Sequence, residues 1–328
     1  MSGAPASSLP AVPQLAVLDH DTVLAAVSPQ AAIEATRTAF ERHHQGEWVM
    51  PAKVYLQSPP HGDFRAMPAR GDGLALLKWI TSFPGNPAQG LPTVSGVVCL
   101  SDARTGVPLA ILDARAVTAL RTGAVAAVAT QALAAAGAQR VGIVGCGLHG
   151  AWTARCLAAA GYDAGVCFDP RGAAAAALAA ELGGGWVAGD LPAALRCEIV
   201  CAVTPGAQVV IERGDLRPGQ HLNMLGADGS GKAEASVEAV LACELFCDEW
   251  AQASHGGELT GAVAAGLVTR EDVTTLGAVL AGEAPGRSGP DPTTLFDSTG
   301  LAIQDLAVAA AALRAAEAGT VRAGSVSL

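Results

Sequence analysis

Residues 140–150 read RVGIVGCGLHG, and the reading of this stretch decides the fold. An apolar, strand-like segment leads into Gly145-Cys146-Gly147-Leu148-His149-Gly150, a complete GxGxxG, and the helix-like AWTARCLAAAG follows it. Roughly twenty residues further on, a second strand-like segment, GVCFDP, ends in Asp169. Strand, glycine turn, helix, strand and acid in this order form a dinucleotide site. The first glycine makes the tight turn and the second lets backbone approach a pyrophosphate. The third lets helix and strand pack closely, so the helix N-terminus faces phosphate. Asp169 is placed to accept the adenosine ribose hydroxyls and to repel a 2′-phosphate, while Arg171 offsets part of that repulsion. NAD is therefore the expected cofactor, with NADP possible.

Downstream the alternation continues: AGVCFDP (164–170), a helix over 172–182, CEIVCAVT (197–204), HLNMLGA (221–227) and ELFCDE (244–249). Strands alternating with helices imply a Rossmann-type doubly wound parallel sheet. Upstream the texture differs. A long helix, AVTALRTGAVAAVATQALAAAG (116–137), ends at Gly137. Before it, KVYLQ, FRAMPA, LALLKWITSF, TVSGVVCLSD and LAILDA are separated by the turn sequences PPHGD, FPGNPAQG and DARTG. That pattern predicts a mainly antiparallel sheet of hairpins. Residues 17–46 read as helical, with start signals at Thr22, Ser28 and Pro29 and a stop at Gly46. A last helix, about 300–318, follows DSTGLAIQD and is expected to return to the first domain. The expected organisation is an α+β substrate domain at 15–118, completed by about 305–328, and a Rossmann domain at 119–304.

Composition narrows the function classes. Of the 328 residues 51 % are apolar and only 15 % charged, enough for a large core. The net charge of −10 is spread without a basic patch, which argues against nucleic acid or an anionic membrane as partner. No apolar stretch reaches the roughly 18 uninterrupted residues of a membrane span. The opening MSGAPASSLPAVPQ lacks a charged n-region and an apolar h-region, and reads as a short disordered lead of a cytoplasmic protein. The eight cysteines form no CxxC and the seven histidines show no zinc-ligand spacing. Reduced thiols and no metal are expected.

One residue stands out against this background. The chain has three lysines, Lys53, Lys78 and Lys232, and all its other basic side chains are arginine. Lys78 lies between Leu76, Leu77, Trp79 and Ile80. An ammonium in apolar surroundings can lose its proton near neutral pH, whereas a guanidinium cannot. Lys78 is thus a candidate proton carrier, or else an edge-strand lysine that snorkels to water. His43 and His44 read as solvated helix-end residues, and His255 and Glu258 in HGGE as loop-ordering residues.

Eight stretches in fixed order resemble the ornithine cyclodeaminase/mu-crystallin family, and within it the archaeal-type alanine dehydrogenases. They are MPAKVYL, GDFRAMPA, LKWITSFPGNPAQGLPTV, TGVPLAILDA, TALRTGA, GADGSGK, QASHGG and FDSTGLAIQD, spread over about 15–320. The resemblance implies a homodimer whose first domains pair. It also implies a catalytic Lys78, an acidic Asp228 beside the nicotinamide, and an Arg121 that reaches both substrate carboxylate and cofactor. Lys53 falls where cyclodeaminases have a carboxylate-binding arginine. Gly226, Ala227, Lys232 and Ser298 match positions lining the cofactor, as do Leu148 and His149. All three lysines fall on functional positions, which favours chemistry for Lys78.

Family members act as amino-acid dehydrogenases, as cyclodeaminases that use NAD catalytically, or as mu-crystallin-like ketimine reductases and binding proteins. Arg65 stands where cyclodeaminases carry a glutamate that meets a substrate ammonium. An arginine there disfavours a diamine and suits a small amino acid or its keto acid. The expected function is an NAD-dependent amino-acid dehydrogenase or imine reductase, with alanine as first substrate. Arg65, Lys53 and Arg121 would hold the carboxylate. Ornithine cyclodeamination is the alternative, and a ketimine reductase or binding protein the third reading.

Overall fold

The computed structural model describes residues 14–206, 208–229 and 231–327. All but the last residue of the opening 14-residue stretch lies outside them. The chain is α/β and builds two sheets.

The first sheet contains β1 (Leu15–Leu18), β2 (Val54–Ser58), β3 (Gly62–Gly71), β4 (Leu74–Ser82), β5 (Val94–Asp102), β6 (Pro108–Asp113) and a C-terminal strand, Gly324–Val326. Its order is C-terminal strand–β1–β6–β5–β4–β3–β2. Strands β2 to β6 form an antiparallel meander, and β1 joins β6 in parallel. Period-2 alternation gives this sheet two unlike faces. On β4, Leu76, Lys78 and Ile80 are buried on the inner face, while Leu77 and Trp79 are exposed on the outer one. The register sets Met67 and Val98 on either side of Lys78.

Residues 17–46 are not one helix. Leu15–Leu18 is a strand, Asp19 caps α1 (His20–Ala26), and Ser28 with Pro29 starts α2 (Pro29–His44) afresh. Caps at Asp19 and Ser28 outweigh the helical periodicity across the break. His43 and His44 are half-buried and bonded, to Trp48 O and to Glu283. The long helix α3 (Ala114–Leu133), capped by Asp113, ends four residues before Gly137, because Ala134 already has extended backbone. It is long and apolar enough to cross a bilayer by composition alone, yet most of it is buried as the core helix between the two sheets.

The second sheet is wholly parallel: β7 (Arg140–Val144), β8 (Ala164–Phe168), β9 (Gly185–Ala188), β10 (Ile199–Ala202), β11 (His221–Met224), β12 (Glu244–Cys247), β13 (Val273–Thr275) and β14 (Thr294–Asp297). The order β13–β12–β14–β11–β10–β7–β8–β9 reverses between β7 and β10, the switch point of a Rossmann sheet. Helices α4 (Leu148–Ala159), α5 (Gly172–Leu182) and α6 (Leu191–Leu195) make its first crossovers. The closing helix Ala302–Glu317 returns to pack on α2, α3, β3 and β4. All eight cysteines are free thiols.

Candidate functional site

The dinucleotide end is built by the turn between β7 and α4. Gly145 has φ +101°, and a Cβ there would lie 2.7 Å from Val203 O. A Cβ on Gly150 would lie 1.8 Å from Gly145 O, so helix and turn touch only because both are glycine. Gly147 faces open space, and it caps α4 without a side-chain hydrogen bond. The first amides of a twelve-residue helix are left for a ligand, the cradle a pyrophosphate needs. The residues present therefore fit a dinucleotide. Leu148 is exposed in the first turn of α4 and His149 half-buried.

Asp169 follows β8 and is already engaged. It accepts Cys146 N at 2.9 Å, Arg171 N at 2.9 Å and the Arg171 guanidinium at 2.9 and 3.1 Å. Arg171 itself is largely exposed.

Between the two sheets lies a cavity of about 730 Å³. Lys53, Arg65, Asp228 and Lys232 converge on it, together with Tyr55, Asp63 and His255. Arg65, on the inner face of β3, donates to Asp63 at 2.6 Å and to Asp228 at 2.6 Å. Lys232 donates to the other Asp228 oxygen at 2.5 Å, and Lys53 to Thr299 O at 2.5 Å. Burial resists ionisation of Asp228, but Arg65, Lys232 and Lys53 outweigh it and hold its carboxyl well below the usual range. Asp228 is a fixed anion. Burial pushes Lys53 down to about 8 against the pull of Asp228 and Asp248. Three cations face two carboxylates here, which leaves one net positive charge for one carboxylate of a ligand. Arg65 is no free cation, because Asp63 and Asp228 neutralise much of its charge. Its exclusion of a second ammonium is weaker than the sequence alone suggests.

Lys78 is not at a sheet edge. It is 1 % exposed on central β4 and donates to Asp305 Oδ1 at 2.9 Å. Arg121 on α3 approaches the same oxygen with Nε at 3.7 Å. Burial lowers Lys78 to about 8, with Asp305 opposing and Arg121 and Arg65 adding to the fall. Burial, reinforced by Arg121 and Lys78, takes His149 down to about 4, so it is neutral near pH 7.

Other buried carboxylates bind the surrounding loops. Glu234 accepts Thr204 N and Gly226 N at 2.6 and 2.7 Å, joining the loops after β10 and β11. Glu258 in turn accepts Glu234 N and Ala235 N, a loop-ordering role, whereas His255 lines the cavity. Asp248 holds Gly300 N and Thr299 Oγ1 and faces Ser298. Ala227 is fully buried beside Asp228. Asp305, Glu234 and Asp248 were not singled out from the sequence. For Asp305 a signal existed: one acid in the apolar face of LAIQDLAVAA, matched to one lysine in an apolar strand.

Comparison with known proteins agrees with this geometry. The sequence profile of the ornithine cyclodeaminase/mu-crystallin family matches residues 14–319. Alanine dehydrogenase of Archaeoglobus fulgidus is 40 % identical over 299 residues, 89 % of this chain and 92 % of that protein. Iminosuccinate reductase of Paracoccus denitrificans is 33 % identical over 311 residues, 92 % and 96 % of the two chains. A solved archaeal alanine dehydrogenase dimer with bound NAD superposes at a TM-score of 0.91 with 36 % identity, covering 96 % of this chain and all of that one.

Proposed function

Because the chain belongs to the ornithine cyclodeaminase/mu-crystallin family, we propose that it is an NAD-dependent oxidoreductase acting on CH–NH2 groups. It interconverts a small L-amino acid, alanine first, and its keto acid or imine. The observation that carries this reading is a buried lysine near Arg65, whose cavity carries one net positive charge. The alanine dehydrogenase and iminosuccinate reductase relatives support the reaction class.

NAD, when bound, supplies the redox chemistry by taking or giving a hydride at the substrate carbon. The amides of the glycine turn would hold its pyrophosphate, and Asp169 its adenosine ribose. Gly226, Ala227, Asp228, Lys232, Ser298, Leu148 and His149 would line it toward the nicotinamide end. Lys53, Arg65 and Arg121 hold the substrate carboxylate and so fix the reacting carbon. Lys78 gives a proton to the carbonyl or carbinolamine oxygen in the reductive direction and takes it back in the oxidative one. A lysine lowered to about 8 suits that task near neutral pH. Asp228, held as a carboxylate, orients ammonia or the amine by accepting its hydrogens rather than by delivering protons.

The outer face of the first sheet pairs with a second copy to make a homodimer. Val54, Leu56, Leu77, Trp79 and Val97 are exposed side by side there, and the solved archaeal relative is a dimer.

Pyruvate plus ammonia, or a related small keto acid, should consume NADH mole for mole, and L-ornithine should yield no proline. Proline formed without net loss of NADH would replace the dehydrogenase reading with cyclodeamination.

A further inference from the structure

The segment Gly300–Asp305 carries two observations that the proposed reaction does not itself explain. Gly300 has φ +77°, and a Cβ built there would lie 2.6 to 2.8 Å from Nη1, Cζ and Nη2 of Arg121. The guanidinium therefore lies flat on bare backbone, in a hollow that only glycine leaves open. Five residues on, Asp305 is fully buried in the first turn of the closing helix and shares one oxygen between Lys78 at 2.9 Å and Arg121 at 3.7 Å. Among the described residues its second oxygen, Oδ2, has no hydrogen-bond partner, and neither has Arg121 Nε. Two buried polar atoms of opposite character are thus left unsatisfied within one cluster, a costly arrangement for a fold to keep.

Resting on the reading of Lys78 and Arg121 above, we infer that this segment is a positioning platform. Asp305 fixes the Lys78 ammonium, and the Gly300 hollow keeps the Arg121 terminal nitrogens free for a ligand carboxylate. Asp305 touches neither substrate nor cofactor and acts through the two cations. The charged and titratable groups around Lys78 come from four elements: Asp305 on the closing helix, Arg121 on α3, Arg65 on β3 and His149 on α4. Asp305 is the one anion among them. Its loss leaves Lys78 facing two guanidiniums, and the ammonium is destabilised.

The test uses the whole chain with its lysines 13C-labelled at Cε, which gives three resonances because there are three lysines. In Asp305→Asn, an isosteric change, the Lys78 titration midpoint should fall by about one pH unit or more. The alkaline limb of kcat/KM for keto acid and ammonia should move down with it. Asp305→Glu, which restores the charge, should return the midpoint toward wild type. Gly300→Ala should raise KM for the keto acid by about tenfold or more with a smaller change in kcat, since it displaces Arg121 and leaves Lys78 in place. An unmoved Lys78 midpoint in a folded Asp305→Asn protein overturns the inference, as does an unchanged KM in Gly300→Ala. If Asp305→Asn does not fold, the Gly300→Ala arm decides alone. If the wild type shows no NADH turnover, the functional reading fails, while the lysine titration still judges Asp305.

Discussion

A lysine that must be charged to act, and is buried so that charge is costly, makes activity a function of pH. As the proton carrier proposed above, Lys78 has to be protonated in the reductive direction, so kcat/KM should be level near pH 7 and fall as pH rises through about 8. Lys78→Met should abolish turnover while NADH still binds, as followed by quenching of the tryptophan fluorescence. An active Lys78→Met protein would remove the proton carrier. At the other end of the site, Asp169 should make NADH bind more tightly than NADPH. Asp169→Ser should narrow that gap by removing the charge that repels a 2′-phosphate and freeing Arg171 to meet it. Equal dissociation constants for the two cofactors in wild type would mean that Arg171 already dominates. Lys78 was legible because a lysine breaks the pattern of an apolar strand, whereas Arg65 and Asp228 were picked out only through the resemblance to the family, since an arginine among hairpins and an acid in a glycine turn look ordinary by themselves. Asp305 left a signal too, one acid in an apolar helix, but it is easily passed over because an aspartate near a helix start looks like an ordinary first-turn acid. Only the tertiary fold turns it inward to Lys78.

The loops around the cavity are held from inside by carboxylates, and this has a cost that depends on pH. Burial pushes Asp248 up to about 6 and Glu258 up to about 7, and Asp297 is raised well above its ordinary value. Asp297 Oδ1 has no hydrogen-bond partner among the described residues. These groups keep protons in the fold that the unfolded chain releases above about pH 4. Where the unfolded state binds fewer protons, stability falls as pH rises, so this cluster should lower the melting temperature between about pH 4 and pH 7. Asp297→Asn keeps the shape and the bond from Leu259 N and removes one such proton. Melting curves across that range should show a flatter pH dependence for the variant, and an identical slope would deny the protonated Asp297. The same scale shows where sequence patterns suffice. Every strand of the hairpin region and the β7–α4–β8 unit could be read from alternation and glycine spacing. The break at Val27–Ser28 was missed because apolar residues continue in helical phase across it. So were the short β9 and β13, because three or four residues do not establish a period.

At the scale of the whole molecule, the first sheet has one face against helices and the other open. Phe64 stacks on Trp79 at 5.5 Å in the middle of the open face, and Val97 lies opposite Trp79 in register. Trp79→Glu together with Val97→Lys should shift the protein from dimer to monomer in sedimentation experiments. A wild type that sediments as a monomer at micromolar concentration would remove this role for the face. The division into a domain at 15–118 and a Rossmann domain at 119–304 is a finer matter, since α3 spans the boundary and packs on β4 to β6 of the first sheet and on β11 of the second. The lysines, finally, bear on how the protein meets reagents. Lys53 and Lys232 line the cavity, and Lys78 is buried near Arg65, which lines it too, so no lysine lies far from the proposed site. Here the half-exposed Lys232 is the first lysine an acylating metabolite or an amine-directed crosslinker meets, and each acyl group added there cancels a charge next to Asp228. Tethering the protein to a surface through its lysines would therefore be expected to block the cavity.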